Sequence, residues 1–218
     1  MLYKSFKYIL IVTLLCIIIS CNNDVKAPEI ILNGKINDTI ELNTKYEEPG
    51  FVAKDKKDGD LTDKVIVNGS VNINKTGNYI IRYEVIDKSG NMAKAERSVY
   101  VINKANYLEG NYQVNEIVKG ANPGQFNYTV KVKSSETQNQ QIEINNFGSY
   151  GVYVNVKAQI NGNNISIPLQ NPSGMPIGSE GTISGNGEIK NNNIYSIEFI
   201  CSYFNGGIDT VSCIYTKL

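Results

Sequence analysis

After residue 22, apolar and polar positions alternate with period two through most of the chain, the spacing of a strand with one buried face. Tyr79, Ile81, Tyr83 and Val85 point one way while Asn78, Arg82 and Glu84 point the other. Phe126, Tyr128, Val130 and Val132 oppose Asn127, Thr129, Lys131 and Lys133. Val152, Val154, Val156, Ala158 and Ile160 form a further row, as do Ile165, Ile167 and Leu169. Asn-Gly, the strongest short hairpin signal, recurs at Asn33-Gly34, Asn68-Gly69, Asn161-Gly162, Asn186-Gly187 and Asn205-Gly206. No stretch sustains a helical period, so the chain reads as all-β. A break near Asn103-Lys104-Ala105-Asn106 divides it into a domain over 27–103 and another over 107–218. In the second, strands are predicted at 110–118, 126–133, 141–146, 151–160, 164–169, 181–190, 193–204 and 208–217. Short connections make them an antiparallel meander. Such a meander closes into a small lipocalin-like barrel or folds as a two-sheet sandwich.

The N-terminus breaks this pattern. Lys4 and Lys7 precede the apolar run Tyr8 to Ile19, interrupted only by Thr13, and Ile18-Ile19-Ser20-Cys21 closes it. Spanning a bilayer takes roughly 20 apolar residues, so the run has the proportions of a secretory h-region. The four residues ending at Cys21 resemble a bacterial lipobox. That resemblance implies a signal peptide over 1–20, cleavage before Cys21 and acylation of its thiol. Residues 21–26 then serve as a lipidated tether.

Composition narrows the chemistry. The signal carries two of the 21 cations and none of the 21 anions, leaving 19 against 21 and a net charge of −2 in the mature chain. This near-balance offers nucleic acid no electrostatic footing. There is no histidine and no tryptophan. Histidine-based triads and zinc sites are therefore excluded. No cofactor is indicated.

Thr76-Gly77-Asn78-Tyr79 has the form of a tyrosine corner, in which a phenol bonds back to the chain at a sandwich edge. Around it stand Ala27-Pro28-Glu29-Ile30, Tyr46-Glu47-Glu48-Pro49-Gly50-Phe51-Val52-Ala53, Asp58-Gly59-Asp60-Leu61-Thr62, Tyr83-Glu84-Val85-Ile86-Asp87 and Gly90-Asn91. In that order they resemble the bacterial immunoglobulin-like domain first described in a pesticidal crystal protein. The match covers roughly 27–102. It implies a β-sandwich spacer or adhesion module with no catalytic residues. Asn145-Asn146-Phe147-Gly148-Ser149-Tyr150-Gly151 and the terminal hairpin resemble C-terminal domains of surface lipoproteins from Sus-like nutrient-uptake loci. That likeness implies an accessory lipoprotein beside a SusC/SusD-like importer.

Three constellations carry candidate chemistry. Ile197, Phe199, Cys201 and Tyr203 share a face, as do Val211, Cys213 and Tyr215. A loop of Gly206-Gly207-Ile208 sets Asn205 opposite Asp209 and Cys201 opposite Cys213. A disulfide closing about 13 residues would then add ~2–3 kcal/mol; two buried thiols are the other outcome. Asp55, Asp58, Asp60 and Asp63 suggest calcium, but their spacing is not that of an EF-hand, and turn-forming carboxylates account for them. No metal is therefore assigned. Phe147, Tyr150 and Tyr153 lie near a glycine-rich turn, where flat rings at a barrel mouth stack on a sugar or flank a peptide. Tyr153 is also of opposite parity to its valine row and thus suited to covering the exterior.

The expectation is a non-enzymatic protein anchored to the outer membrane through lipid on Cys21, at the cell surface or on the periplasmic face. Its job would be to bind a glycan or peptide, or to steady an uptake complex. The alternatives are a structural or adhesive protein without a small ligand, and a glycosidase using two of Glu109, Glu116, Glu136, Glu143, Glu180, Glu188, Glu198 and Asp209.

Overall fold

The alternating rows become strands because an extended segment with one apolar face is stable only when that face packs and its backbone pairs. The computed structural model describes residues 24–151, 153–177, 179–191 and 193–218. The signal segment 1–20 and Cys21 lie outside the described residues. In chain order the strands are β1 (Glu29–Leu32), β2 (Asn37–Glu41), β3 (Phe51–Asp55), β4 (Gly59–Asp60), β5 (Ile66–Asn68), β6 (Gly77–Ile86) and β7 (Met92–Ile102). There follow β8 (Gly110–Gly120), β9 (Gly124–Ser134), β10 (Gln141–Asn145), β11 (Asn155–Asn161), β12 (Asn164–Gln170), β13 (Gly181–Asn191), β14 (Ile194–Tyr203) and β15 (Ile208–Lys217). Among the described residues no helix is long and apolar enough to cross a membrane.

The first seven strands form two sheets, β1-β3-β4 and β2-β7-β6-β5, in which β2 runs parallel to β7. By packing, the chain divides into two compact units. One comprises the stretch ending at Ile36 with Pro49–Gly69 and Ile81–Arg97; the other comprises Asn37–Glu48, Ser70–Ile80 and Ser98–Leu218. In the first unit Ala53, Leu61 and Val85 pack with Ile30, Val65 and Ala93, and the Phe51 and Tyr83 rings lie 5.1 Å apart. Arg97 is fully buried there. Its guanidinium donates to the carbonyls of Lys35, Asn33 and Gly50, so hydrogen bonds compensate the buried charge. The tyrosine corner is present: the Tyr79 hydroxyl donates to the Lys75 carbonyl at 2.8 Å.

Strands β8 to β15 form a closed barrel, not the two-sheet sandwich. Each pairs with its sequence neighbour, and β15 pairs with β8 to shut the ring. Closure leaves no unpaired edge among these strands. The apolar rows line the inside, where Val114, Val132, Ile142, Val156, Ile197 and Val211 are buried. Asn103, at the expected break, is buried as well. Its Nδ2 donates to the carbonyls of Ser135, Gln138 and Gln141, and its Oδ1 accepts from the N–H groups of Ala105 and Gln140.

Two local expectations are corrected. The strand expected over 151–160 begins only at Asn155, because Phe147 N–H donates to Val154 O at 2.9 Å and ties off the chain ahead of it. The last hairpin also turns earlier than expected. Gly206 N–H donates to Tyr203 O at 3.0 Å and Tyr203 N–H to Gly207 O at 2.8 Å. Gly206 takes a φ of 92°, a left-handed position that closes the turn around Phe204 and Asn205. The pivot moves two residues toward the N-terminus, so Cys201 faces Asp209 and Cys213 faces Ile197. Cys201 and Cys213 are buried free thiols, and the register that would have set them opposite each other does not form.

Candidate functional site

Because the barrel is a meander, four loops converge at one end: those between β8 and β9, β10 and β11, β12 and β13, and β14 and β15. They surround a mouth of about 180 Å³ lined by Val118, Asn122, Phe126, Ser149, Tyr150, Ser179, Tyr203 and Asp209. Of these, Asp209 is fully buried and Tyr203 nearly so.

Asp209 ties two loops together. Its Oδ2 accepts from the Tyr203 hydroxyl at 2.6 Å and from Asn122 Nδ2 at 3.2 Å, while Oδ1 accepts from Asn122 N–H at 2.9 Å. Burial pushes this carboxyl up, but the hydrogen bonds from Tyr203, Asn122 and Ala121 outweigh it and hold it below the ordinary aspartate range. Burial, and then the bond to Asp209, push the Tyr203 phenol up. The close approach of β8 depends on Gly120, whose φ is 130° and whose absent Cβ would stand 2.2 Å from Ile208 O.

Beneath the mouth sits Glu116, only 2% exposed. Its Oε1 accepts from the Ser149 hydroxyl at 2.8 Å and from Ser149 N–H at 3.3 Å. Its Oε2 accepts from Tyr128 OH at 2.5 Å and from the Cys213 thiol at 3.5 Å. Burial, followed by the adjacent Glu116 charge, pushes the Cys213 thiol well up, so it is a packed group rather than a nucleophile. Ser149 belongs to a short 3-10 turn, Gly148–Tyr150, so Glu116 latches that turn into the barrel.

The three aromatic candidates separate. Phe147 is fully buried, its ring 4.6 Å from Phe199 in the core. Tyr150 reaches the mouth, edge-on to Tyr203 at 6.2 Å, and burial pushes its phenol up. Tyr153 lies outside, 78% exposed. Sequence reasoning did not single out Asn122, Phe126, Tyr203 or Asp209 for this site; the turn signal Asn205-Gly206 marked only one of the loops that hold them.

Glu116 and Asp209 are the buried carboxylates of the barrel. Asp209 pairs with Gly120 and Cys213 with Glu116, so the two acids are four residue steps apart along β8 and β15. At ~3.4 Å per step their backbone positions are roughly 14 Å apart. Two larger troughs, about 300 and 360 Å³, lie on the outer wall and share Glu198. They run over outward-facing positions and are lined by polar side chains such as Asn115, Gln125, Ser212 and Asn186.

The early aspartates cap turns. Asp55 Oδ1 accepts from the N–H groups of Lys57 and Asp58, and Asp60 Oδ1 from that of Thr62. Asp58 Oδ2 accepts from Lys88 N–H at 2.7 Å, the leading cause of its lowered pKa. Carboxylate oxygens of Asp24, Asp55 and Asp87 lie within 4.8 Å of one another, the one group among the described residues with metal-ligand spacing. Asp87 is already engaged by Ser89 and Asn91.

Residues 30–101 match the family described as bacterial surface protein, Ig-like domain. An immunoglobulin-like module is thus present over these residues. No curated protein matches the chain. Among solved structures, the lipoprotein BT2262 from Bacteroides thetaiotaomicron is 20% identical, with a TM-score of 0.39, and the match covers 87% of this chain and all of that one. A redesigned beta barrel is 9% identical over 52% of this chain and 94% of its own, with a TM-score of 0.37. The CBM51-2 and INT domains of ZmpB from Clostridium perfringens, solved with GlcNAc, are 14% identical over 87% of this chain and 47% of their own, with a TM-score of 0.30.

Proposed function

We propose that this chain is a lipid-anchored bacterial surface protein that captures a ligand at the barrel mouth without transforming it. The observation that carries the reading is the convergence of Tyr150, Phe126 and Tyr203 with Asn122, Ser149 and Ser179 around one cavity. Aromatic faces with a few fixed polar groups are the usual make-up of a small-molecule site. A non-enzymatic role is supported by the two buried carboxylates, each already hydrogen-bonded within the chain. The immunoglobulin-like module over 30–101 supports placement at the surface. In this reading acylated Cys21 is the anchor, since two or more acyl chains hold stably where one is marginal. The ligand is a glycan or peptide, and the setting is accessory to a SusC/SusD-like importer in the outer membrane.

Two measurements test it. Cys21→Ser moves the protein from the membrane fraction to the soluble one; sedimentation equal to wild type rejects the anchor. Tyr150→Ala abolishes binding of glycan or peptide by the otherwise folded protein; unchanged binding rejects the mouth as the site.

A further inference from the structure

Resting on the reading of the mouth as a capture site, we infer that it receives the uncharged end of a carbohydrate chain. The loops over 121–123, 146–154, 171–180 and 204–207 contain one charged residue, Glu180, in a chain that is 19% charged. The mouth's own carboxylate is spent. A carboxylate offers about four acceptor positions, and three of those of Asp209 are taken by the Tyr203 hydroxyl and by the side chain and backbone of Asn122. An anion entering here meets the like charge of Asp209, and a cation finds that carboxylate already engaged by neutral donors, so either loses hydration at a cost. A peptide end carries an ammonium or a carboxylate; a neutral sugar end carries only hydroxyls.

At about 180 Å³ the mouth is smaller than the ~300–1,000 Å³ of sites that enclose a whole small ligand. Its floor is shut by Ser149 bound to Glu116 and by Phe147 packed on Phe199. A blind pocket takes the end of a chain, whereas an open groove takes its middle. What remains inside is the Tyr150 and Phe126 rings with the hydroxyls of Ser149 and Ser179, suited to a sugar's C–H face and its hydroxyl rim. Outside, Tyr153 and Phe204 are 78% and 67% exposed and offer flat surfaces to the following sugar units.

Calorimetry on the detergent-extracted full chain tests this with neutral hexaoses of glucose, mannose, galactose and xylose, with hexagalacturonate and with an uncapped hexapeptide. A neutral hexaose is expected to bind at least about tenfold more tightly than either charged probe. Its affinity stays constant as salt rises, because no ion pair is screened. The methyl glycoside of the same sugar competes, since the terminal unit alone enters the pocket. Preferred binding of hexagalacturonate or peptide, lost in Tyr150→Ala, overturns the inference while upholding capture at the mouth. Failure of the methyl glycoside to compete overturns recognition of an end. Neutral binding untouched by both Tyr150→Ala and Phe126→Ala overturns the site itself. Absence of binding to every probe overturns both readings. Circular dichroism of each variant establishes that it is folded before its result is used.

Discussion

The hydroxyl of Tyr112 donates to the carbonyl of Leu108 at 2.8 Å. This is the four-residue reach that joins Tyr79 to Lys75, also at 2.8 Å. Both tyrosines end a Gly-Asn-Tyr triplet, Gly77-Asn78-Tyr79 and Gly110-Asn111-Tyr112. The same short device therefore starts β6 and β8. Tyr112 is fully buried, and burial, then the nearby Tyr107, pushes its phenol up to about 12. Tyr112→Phe is expected to cost about 1–2 kcal/mol by stranding a buried carbonyl just before β8. Tyr79→Phe, at a solvent-facing bond, costs less. Urea midpoints of the two variants against wild type check the order.

Asp209 governs the acid limb of stability at the mouth. Its folded pKa lies below the ordinary value of 3.8, so its contribution is fully present above the unfolded pKa and disappears as pH falls through the folded one. Asp209→Asn should lower stability at pH 7 by about 2 kcal/mol, the scale of hydrogen bonds to a charged acceptor. The gap between variant and wild type then narrows below about pH 4. A gap that is constant from pH 7 to pH 3 contradicts this assignment.

Alkali acts on the barrel interior in the opposite sense. Tyr128, Tyr150, Tyr195, Tyr203 and Tyr215, with Tyr112, all have ionisation raised first by burial. A raised folded pKa gives stability that is whole below the unfolded value near 10 and is lost as pH climbs toward the folded one. The folded chain at pH 11 should withhold tyrosinate absorbance that appears at once on adding urea. Equal absorbance before and after unfolding at that pH would contradict the raised values.

The cysteines offer a direct check on register. Cys201 faces Asp209, four residues from Cys213 on β15, which sets the thiols roughly 13 Å apart along the strand. A disulfide needs its Cα atoms within ~7 Å. Two thiols should react in denatured, unreduced mature protein, none rapidly in native protein, and reductant should leave the melting temperature unchanged. A bridge between Cys201 and Cys213 would mean that β14 and β15 pair four residues out of the described register.

The alternation of Val130 and Val132 with Lys131 and Lys133, and of Ile197, Phe199 and Cys201 with Glu198 and Ile200, determined strands and inward faces without any knowledge of neighbours, because the period of two is a property of the backbone itself. Short polar connections likewise determined a meander, and the ordered motifs over 27–102 determined an immunoglobulin-like module. Which residue stands opposite which was decided elsewhere. Gly206 closed a turn around Asn205, and the whole of β15 shifted with it. The mouth was decided in the same way. Asn122, Phe126, Tyr150, Tyr203 and Asp209 come from four segments of chain, and only closure of the ring brings them together. Local pattern could not separate Phe147, which fills the core, from Tyr150, which faces the opening, or Tyr153, which faces water. Those three positions differ in what the far strands of the barrel place against them, and contacts over such distances in sequence leave no periodic mark.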